Sequence, residues 1–394
     1  MNTASRSGGV HRDRFSHLPD FIIHQILSFL DTKSAVQTCV LSRVWRCAWK
    51  HIPVLDLHSD SFQDYDAFQR YVDGVLSLRC PLSVHKMVFV SKRQDYDDSE
   101  PELDDGQFAR VIEYVLRHDI KHLSFYLEHC LYPDNYFRFS NVFGSSSTAR
   151  NCNLRTLELG DFALQSGFLS FGFRMLTTLQ LESCDLRFNW EEDIDPFSNF
   201  PCLQNLVMKH ISTDLAYRGM WETSFKISGM ELLNLTLENV GFFKLEVFAP
   251  KLKFFRFWED ETEEGYVEVL ELSLPSLDHA DIFAFPEEQV EQYMITLFQG
   301  LHNVKTLTLH SETIKVLNGL DEFLDRQPSP FTRLERLKLR WNDMQDKVSN
   351  YFLKGSDAKP IVEFVPRSED KAKLCRTILV SLSLMKYTNL PRYC

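Results

Sequence analysis

The chain has 394 residues, 44% hydrophobic and 25% charged, the balance of a folded globular protein with room for two domains. A formal net charge of -12 argues against a surface basic enough for general nucleic-acid binding. No apolar run reaches the roughly 18 residues of a membrane span; nine scattered cysteines without a CxxC pair suit free thiols in a reducing compartment, cytoplasm or nucleus.

Residues 1–12 read as a flexible leader, small, polar and basic, without the apolar centre of a secretory signal. The next stretch, "HLPDFIIHQILSFLDTKSAVQTCVLSRVWRCAWKHI", predicts three short helices. Pro19 suits a helix start. Ile22, Ile26 and Leu30 then recur at helical spacing, and Ile23, Leu27 and Phe29 widen the stripe. Thr32 is positioned to cap a second helix carrying Val36 and Val40. Ser42 is positioned to cap a third, with Trp45 and Trp49 one turn apart. So short and greasy a segment does not fold by burying itself. Either the rest of the chain or another protein must cover it.

The order of these residues resembles the F-box: Leu18-Pro19-Asp20, Ile26-Leu27-Ser28-Phe29-Leu30, Thr32-Lys33, Leu41-Ser42-Arg43, Trp45-Arg46 and Trp49, over residues 13–52. Phe21, Asp31 and Val44 depart from it, standing where the family often has a polar residue, a proline and a basic residue. The resemblance implies docking on the SKP-type adaptor of cullin–RING ubiquitin ligases. The adaptor-facing residues are then Leu18, Pro19, Ile22, Ile26, Leu27, Leu30, Val40, Leu41, Trp45 and Trp49.

From about residue 52 to 340 one spacing recurs, apolar-x-x-apolar-x-apolar, which marks 53–345 as a repeat domain. It runs from Ile52-Leu55-Leu57 and Val84-Met87-Phe89 through Leu176-Leu179-Leu181 and Leu252-Phe255-Phe257 to Leu334-Leu337-Leu339, eleven times in all. Intervals of about 20–36 residues bracket the leucine-rich-repeat range. "LTTLQLESCDL" and "LERLKLRWNDM" carry the fuller signature, with Cys184 and Asn342 where adjacent turns are tied together. The expected fold is α/β: a three-helix F-box-like module, then an irregular parallel-strand solenoid with helical or extended returns. Acidic runs ("QDYDDSEPELDD", "NWEEDID", "WEDETEEG") read as solvated loops and "FGSSSTARNCN" as a flexible connection. Residues 346–394 form either a cap or a tail.

The sequence holds no phosphate loop, nucleophile elbow or dinucleotide fingerprint. His118 and His122 have zinc-pair spacing, yet Asp119 occupies the place of the catalytic glutamate, and His129 with Cys130 lacks a third member. The reading is a non-enzyme without cofactor. By resemblance it is the substrate receptor of an SCF-type ligase, bound through the adaptor to cullin and a RING protein and holding a protein substrate. An adaptor-bound scaffold outside any ligase, or a small-molecule receptor, stays open. Side chains between the apolar anchors face the open side of the sheet. There the expectation places an aromatic cluster with one cation, Phe254, Arg256, Trp258 and Phe283, and a basic strip, Arg336, Lys338 and Arg340, beside Arg333.

Overall fold

The computed structural model describes residues 18–80, 84–92, 105–128, 153–165, 173–187, 195–213, 223–241, 244–259, 267–284, 290–340, 345–356 and 359–365. Outside the described residues lie the leader, most of the three acidic runs and of the 143–153 connection, His129, Cys130, Asn342 and everything beyond residue 365. Two compact units divide the chain, Met1–Met220 and Trp221–Cys394.

The first unit opens with α1 (Asp20–Leu27), α2 (Thr32–Gln37) running into a 3-10 turn, and α3 (Trp45–Ala48) running into a 3-10 turn over Trp49–His51. Asp31, not Thr32, caps α2: its carboxylate accepts the Ser34 N–H at 2.7 Å. Thr32 is instead buried, and its hydroxyl accepts the Asp56 N–H at 2.7 Å, which fastens the helix to the first strand. Ser42 makes no side-chain cap on α3; its hydroxyl has no hydrogen-bond partner.

The chain then alternates strands with returns: β1 (Val54–His58), α4 (Tyr65–Leu78), β2 (Lys86–Lys92), α5 (Asp105–Arg117), β3 (His122–Glu128), β4 (Thr156–Gly160), β5 (Ala163–Gln165), β6 (Thr178–Glu182), β7 (Asp185–Arg187) and β8 (Asn205–Thr213). Strands β1-β2-β3-β4-β6-β8 lie side by side and parallel. Their apolar anchors stack in register, Leu55 on Met87 on Leu123 on Leu157 on Leu179 on Leu206, all buried. One layer of the repeat is thus one column of the core. The helical return α4 buries Phe68, Val72 and Val75, one face at 3.6-residue spacing, and starts on an Asp64 cap.

The second unit repeats the pattern. Strands β10 (Asn234–Val240), β12 (Phe254–Trp258), β14 (His279–Phe283), β15 (Thr306–Leu309), β16 (Arg336–Leu339) and β17 (Ile361–Phe364) follow one another in a parallel sheet. Leu235, Phe255, Ala280, Leu307, Leu337 and Val362 share a register. The returns between the earlier strands are extended, β9 (Ser224–Ser228), β11 (Lys244–Phe248) and β13 (Glu268–Ser273), and pair as a second parallel sheet. Later returns are helical: α6 (Val290–Gly300), α7 (Ser311–Asn318) with α8 (Asp321–Leu324), and α9 (Asp346–Lys354).

All eleven spaced units begin a strand of this kind. The repeat does not stop where its pattern fades, because β17 adds one more strand beyond residue 345. Interval length helps decide the return. The three shortest intervals, Leu154 to Leu176, Leu232 to Leu252 and Leu252 to Leu277, come back through β5, β11 and β13, too few residues to fit a helix and its two turns.

A fixed corner follows the third anchor in four units. Asp161, Ser183, His210 and Asn239 each stand two residues after it with φ between 50° and 63°, a left-handed conformation that short polar side chains tolerate. Next to one of these corners, the buried Cys184 thiol donates to the Leu159 carbonyl of the preceding unit at 3.5 Å. This is the tie between turns that its place in the signature implies. Burial pushes the thiol up to about 12, so it acts as a hydrogen-bond donor and not as a nucleophile.

Candidate functional site

Two surfaces carry the residues that the sequence singled out. On the first, α1 divides its apolar residues between two sides. Ile23 and Leu27, one turn apart, are fully buried and join Ala35, Trp45, Ala48 and Trp49 in a small core. Other apolar side chains stay uncovered: Phe21 (68% exposed) and Ile26 of α1, Phe29 (80%) and Leu30 just after it, and Val40 (88%), Leu41 and Val44 from the end of the 3-10 turn to α3.

Of the ten expected adaptor-facing residues, Ile26, Leu30, Val40, Leu41 and Pro19 lie on the surface, and Leu18 and Ile22 are half-buried. Leu27, Trp45 and Trp49 do not offer a surface; they hold the helices together from inside. Trp45, at 2% exposure, is among the largest buried side chains of the chain. Phe21 and Val44, two departures from the F-box pattern, enlarge the apolar face. Phe29 was legible as part of the helical stripe, but not which way it would turn. Burying side chains of this kind contributes about 1.5–3 kcal/mol apiece, so this many exposed on one short module favours an interaction surface.

The second surface is the face of the β10–β17 sheet made by the side chains between the anchors. Trp258 stacks flat on Phe283, ring centroids 4.5 Å apart and 5° from parallel. The His310 ring stands edge-on to Trp258 at 4.4 Å. Beneath them Arg256 is not the lone cation the sequence suggested. Its Nε and Nη2 donate to Asp281 Oδ2 at 2.9 and 2.7 Å, and its Nη1 reaches Glu238 Oε1 at 3.4 Å. The other Asp281 oxygen, Oδ1, meets His310 Nε2 at 2.7 Å.

Glu238, Asp281 and His310 are all buried. Burial by itself would raise the Asp281 carboxyl, but the hydrogen bonds and charges of His310 and Arg256 outweigh it and hold it at about 2. What the site presents outward is therefore aromatic surface over an internally hydrogen-bonded charge network. Phe283 is buried, while Phe254 and Trp258 are half-buried. The basic strip is looser: Arg336 is exposed, Arg340 is half-buried, and Lys338 lies 3.9 Å from Glu363 of β17.

Glu259, just after Trp258, reads in the sequence as part of the solvated acidic run "WEDETEEG" but is instead buried, 5% exposed. Its buried carboxylate accepts the N–H of Val267 and, at 3.2 Å, the Tyr293 hydroxyl. Burial is the dominant influence and, against those two hydrogen bonds, raises the group from 4.5 to about 7. The folded state thus binds this proton more tightly than the unfolded state. The stabilisation is fully present below pH 4.5 and is lost as pH rises through about 7. Glu259→Gln keeps a carbonyl acceptor and removes the charge. We expect melts of the variant and the parent to agree near pH 4, and the variant to be more stable at pH 8 by up to about 3 kcal/mol. Parallel stability curves across that range would show that Glu259 is not the titrating group.

His118 packs edge-on against Tyr114 at 4.2 Å, and His122 Nδ1 lies 3.0 Å from Thr156 Oγ1, so the two histidines have separate partners. Among the described residues no group of three or more His, Cys, Asp or Glu side chains is arranged to hold a metal. No helix among them is long and apolar enough to cross a membrane.

Comparison with known proteins agrees with this architecture. A family model described as the F-box domain matches residues 15–56. The chain is 25% identical over 345 residues to an F-box/FBD/LRR-repeat protein of Arabidopsis thaliana, covering 84% of this chain and 74% of that protein. To an FBD-associated F-box protein of the same plant it is 27% identical over 372 residues, 86% and 71% of the two chains. F-box/LRR-repeat protein 13, also from Arabidopsis, is 35% identical over 111 residues, 28% of this chain and 24% of that protein. The chain thus carries an F-box domain, followed by parallel repeat strands in both units, and is similar over most of its length to plant F-box/LRR-repeat proteins.

Proposed function

We propose that the chain is the substrate-recognition subunit of an SCF-type cullin–RING ubiquitin ligase, working in the cytoplasm or nucleus. The observation that carries the reading is the uncovered apolar face of the F-box helices, with Phe29 and Val40 more than three-quarters exposed. The helices of an SKP-type adaptor are its natural cover. The adaptor would link the chain to cullin and RING protein, and the Trp258 face would hold a protein substrate. The chain then contributes proximity, raising the effective concentration of a substrate lysine near the transfer site. Bond making belongs to the enzyme bound by the RING protein.

Affinity purification of the intact protein tests this. Adaptor and cullin should be recovered together; adaptor without cullin would favour a scaffold outside the ligase, and neither would overturn the reading. Trp258→Ala should keep both while losing substrates, since removing an interface aromatic weakens binding by about 2 kcal/mol, roughly thirtyfold. Equal recovery of every candidate substrate would remove the aromatic face from consideration.

A further inference from the structure

The Trp258 face continues past its aromatic rings into positive charge. Successive side chains of a strand point to opposite sides of its sheet, so Arg336 and Lys338, flanking the buried anchor Leu337, stand on the same side as Trp258, Asp281 and Thr308. The register orders them. Lys338 pairs with Thr308, Thr308 with Asp281, and Asp281 with Arg256. Arg336 stands one row behind, next to Thr306 and then His279. The Trp258 ring, stacked on Phe283 of β14, reaches His310 just past the end of β15. The next strand, β16, carries the two cations.

The charges on this face fall into two kinds. Arg256, Asp281 and His310 satisfy one another, and both Asp281 oxygens are taken. Arg336 is exposed, and Lys338 faces Glu363 across 3.9 Å with both side chains more than a third exposed. So long and open a pair contributes little, and Lys338 can turn to another carboxylate at small cost. Between the aromatic rings and the cations, Thr306 and Thr308 offer short uncharged side chains. A chain of net charge -12 repels a long polyanion such as nucleic acid. A short acidic segment feels chiefly the charges within a Debye length, about 8 Å.

We propose that this face of β12–β16 takes an extended acidic peptide of the substrate, an apolar or aromatic side chain lying on Trp258 and a carboxylate on Lys338 and Arg336. The proposal rests on the reading of the Trp258 face as the substrate surface and adds the class of segment bound there. Strand spacing and rise put the ring and the two cations roughly 10–16 Å apart, so the two peptide residues stand about three to five positions apart.

Selection of a random peptide library on phage against the full chain tests this. Enriched peptides should carry Asp or Glu about three to five positions from Phe, Tyr, Trp or Leu, and a synthetic peptide of the enriched sequence should bind more weakly as salt is raised. Arg336→Gln combined with Lys338→Gln should weaken that peptide roughly tenfold, with circular dichroism unchanged, and should select peptides without the acidic preference. Trp258→Ala should lose the apolar preference and keep the acidic one. No enrichment, enrichment without an acidic residue, or undiminished binding by the double variant would overturn the proposal. Should the double variant fail to fold, unchanged peptide binding by Lys338→Met overturns it equally. Adaptor and cullin recovery is scored separately: peptide selection failing while both are recovered leaves the ligase reading standing, and loss of both with peptide binding intact removes that reading and not this one.

Discussion

Phe29→Asp combined with Val40→Asp should eliminate recovery of an SKP-type adaptor and leave the fold intact. Both side chains project from the F-box helices into solvent, 80% and 88% exposed, so the substitutions touch no packed neighbour. Surface changes of this kind stay within about 0.5 kcal/mol of the parent stability. On binding, each aspartate would place a charge inside an apolar interface. Losing one such anchor weakens association by about 2 kcal/mol or more, and burying an unpaired carboxylate adds to that. Circular dichroism and the melting temperature should match the parent while adaptor pull-down falls to background. Trp45→Ala is the instructive contrast. It should also lose the adaptor, but through a destabilisation of about 3–5 kcal/mol, visible in the melt. Full adaptor recovery by the aspartate pair would place the docking surface elsewhere.

That contrast marks how far the sequence could be read. The spacing of apolar residues announced eleven strands of the parallel sheet, though not β17 or the extended returns, because a buried strand repeats its anchors at fixed intervals and a column such as Leu157, Leu179 and Leu206 needs them in register. Helical spacing likewise announced α1. It did not say which side would turn inward: Ile23 and Leu27 point to the chain's own core and Ile26 and Leu30 away, yet all four are equally apolar. The outcome depends on what α2, α3 and β1 bring, including the Thr32 hydroxyl that bonds Asp56.

Charge was harder to read. Arg256, Glu238, Asp281 and His310 are far apart in sequence, and only the parallel register sets Arg256 beside both Glu238's strand and Asp281. Seen alone, Arg256 looked like a free cation for a substrate. In the sheet its donors are taken, so Arg256→Ala would strand two buried carboxylates and report on stability as much as on recognition. Trp258→Ala is the cleaner probe for that reason.

Asp281 carries the second large effect. It accepts from Arg256 on one oxygen and faces His310 with the other, at 2.7 Å each for the shorter contacts. Asp281→Ala leaves Arg256 with only the 3.4 Å contact to Glu238 and leaves the buried His310 ring without its carboxylate. Breaking a buried pair from one side costs about 3–5 kcal/mol; because Arg256 is about one-quarter exposed and keeps Glu238, the lower end applies. The dependence on pH runs opposite to that of Glu259. Asp281 is depressed from 3.8 to about 2, so its stabilisation is present above pH 3.8 and disappears as pH falls through about 2. The parent should therefore lose its advantage over Asp281→Ala on acidification to pH 2, whereas Glu259→Gln separates from the parent as pH rises from 4.5 through about 7. A double-mutant cycle closes the argument. If the penalty arises from a stranded cation, Arg256→Leu should restore part of the stability when added to Asp281→Ala, yet destabilise when made alone. Simple additivity of the two substitutions in urea melts would show that Asp281 and Arg256 are neighbours without being energetically paired.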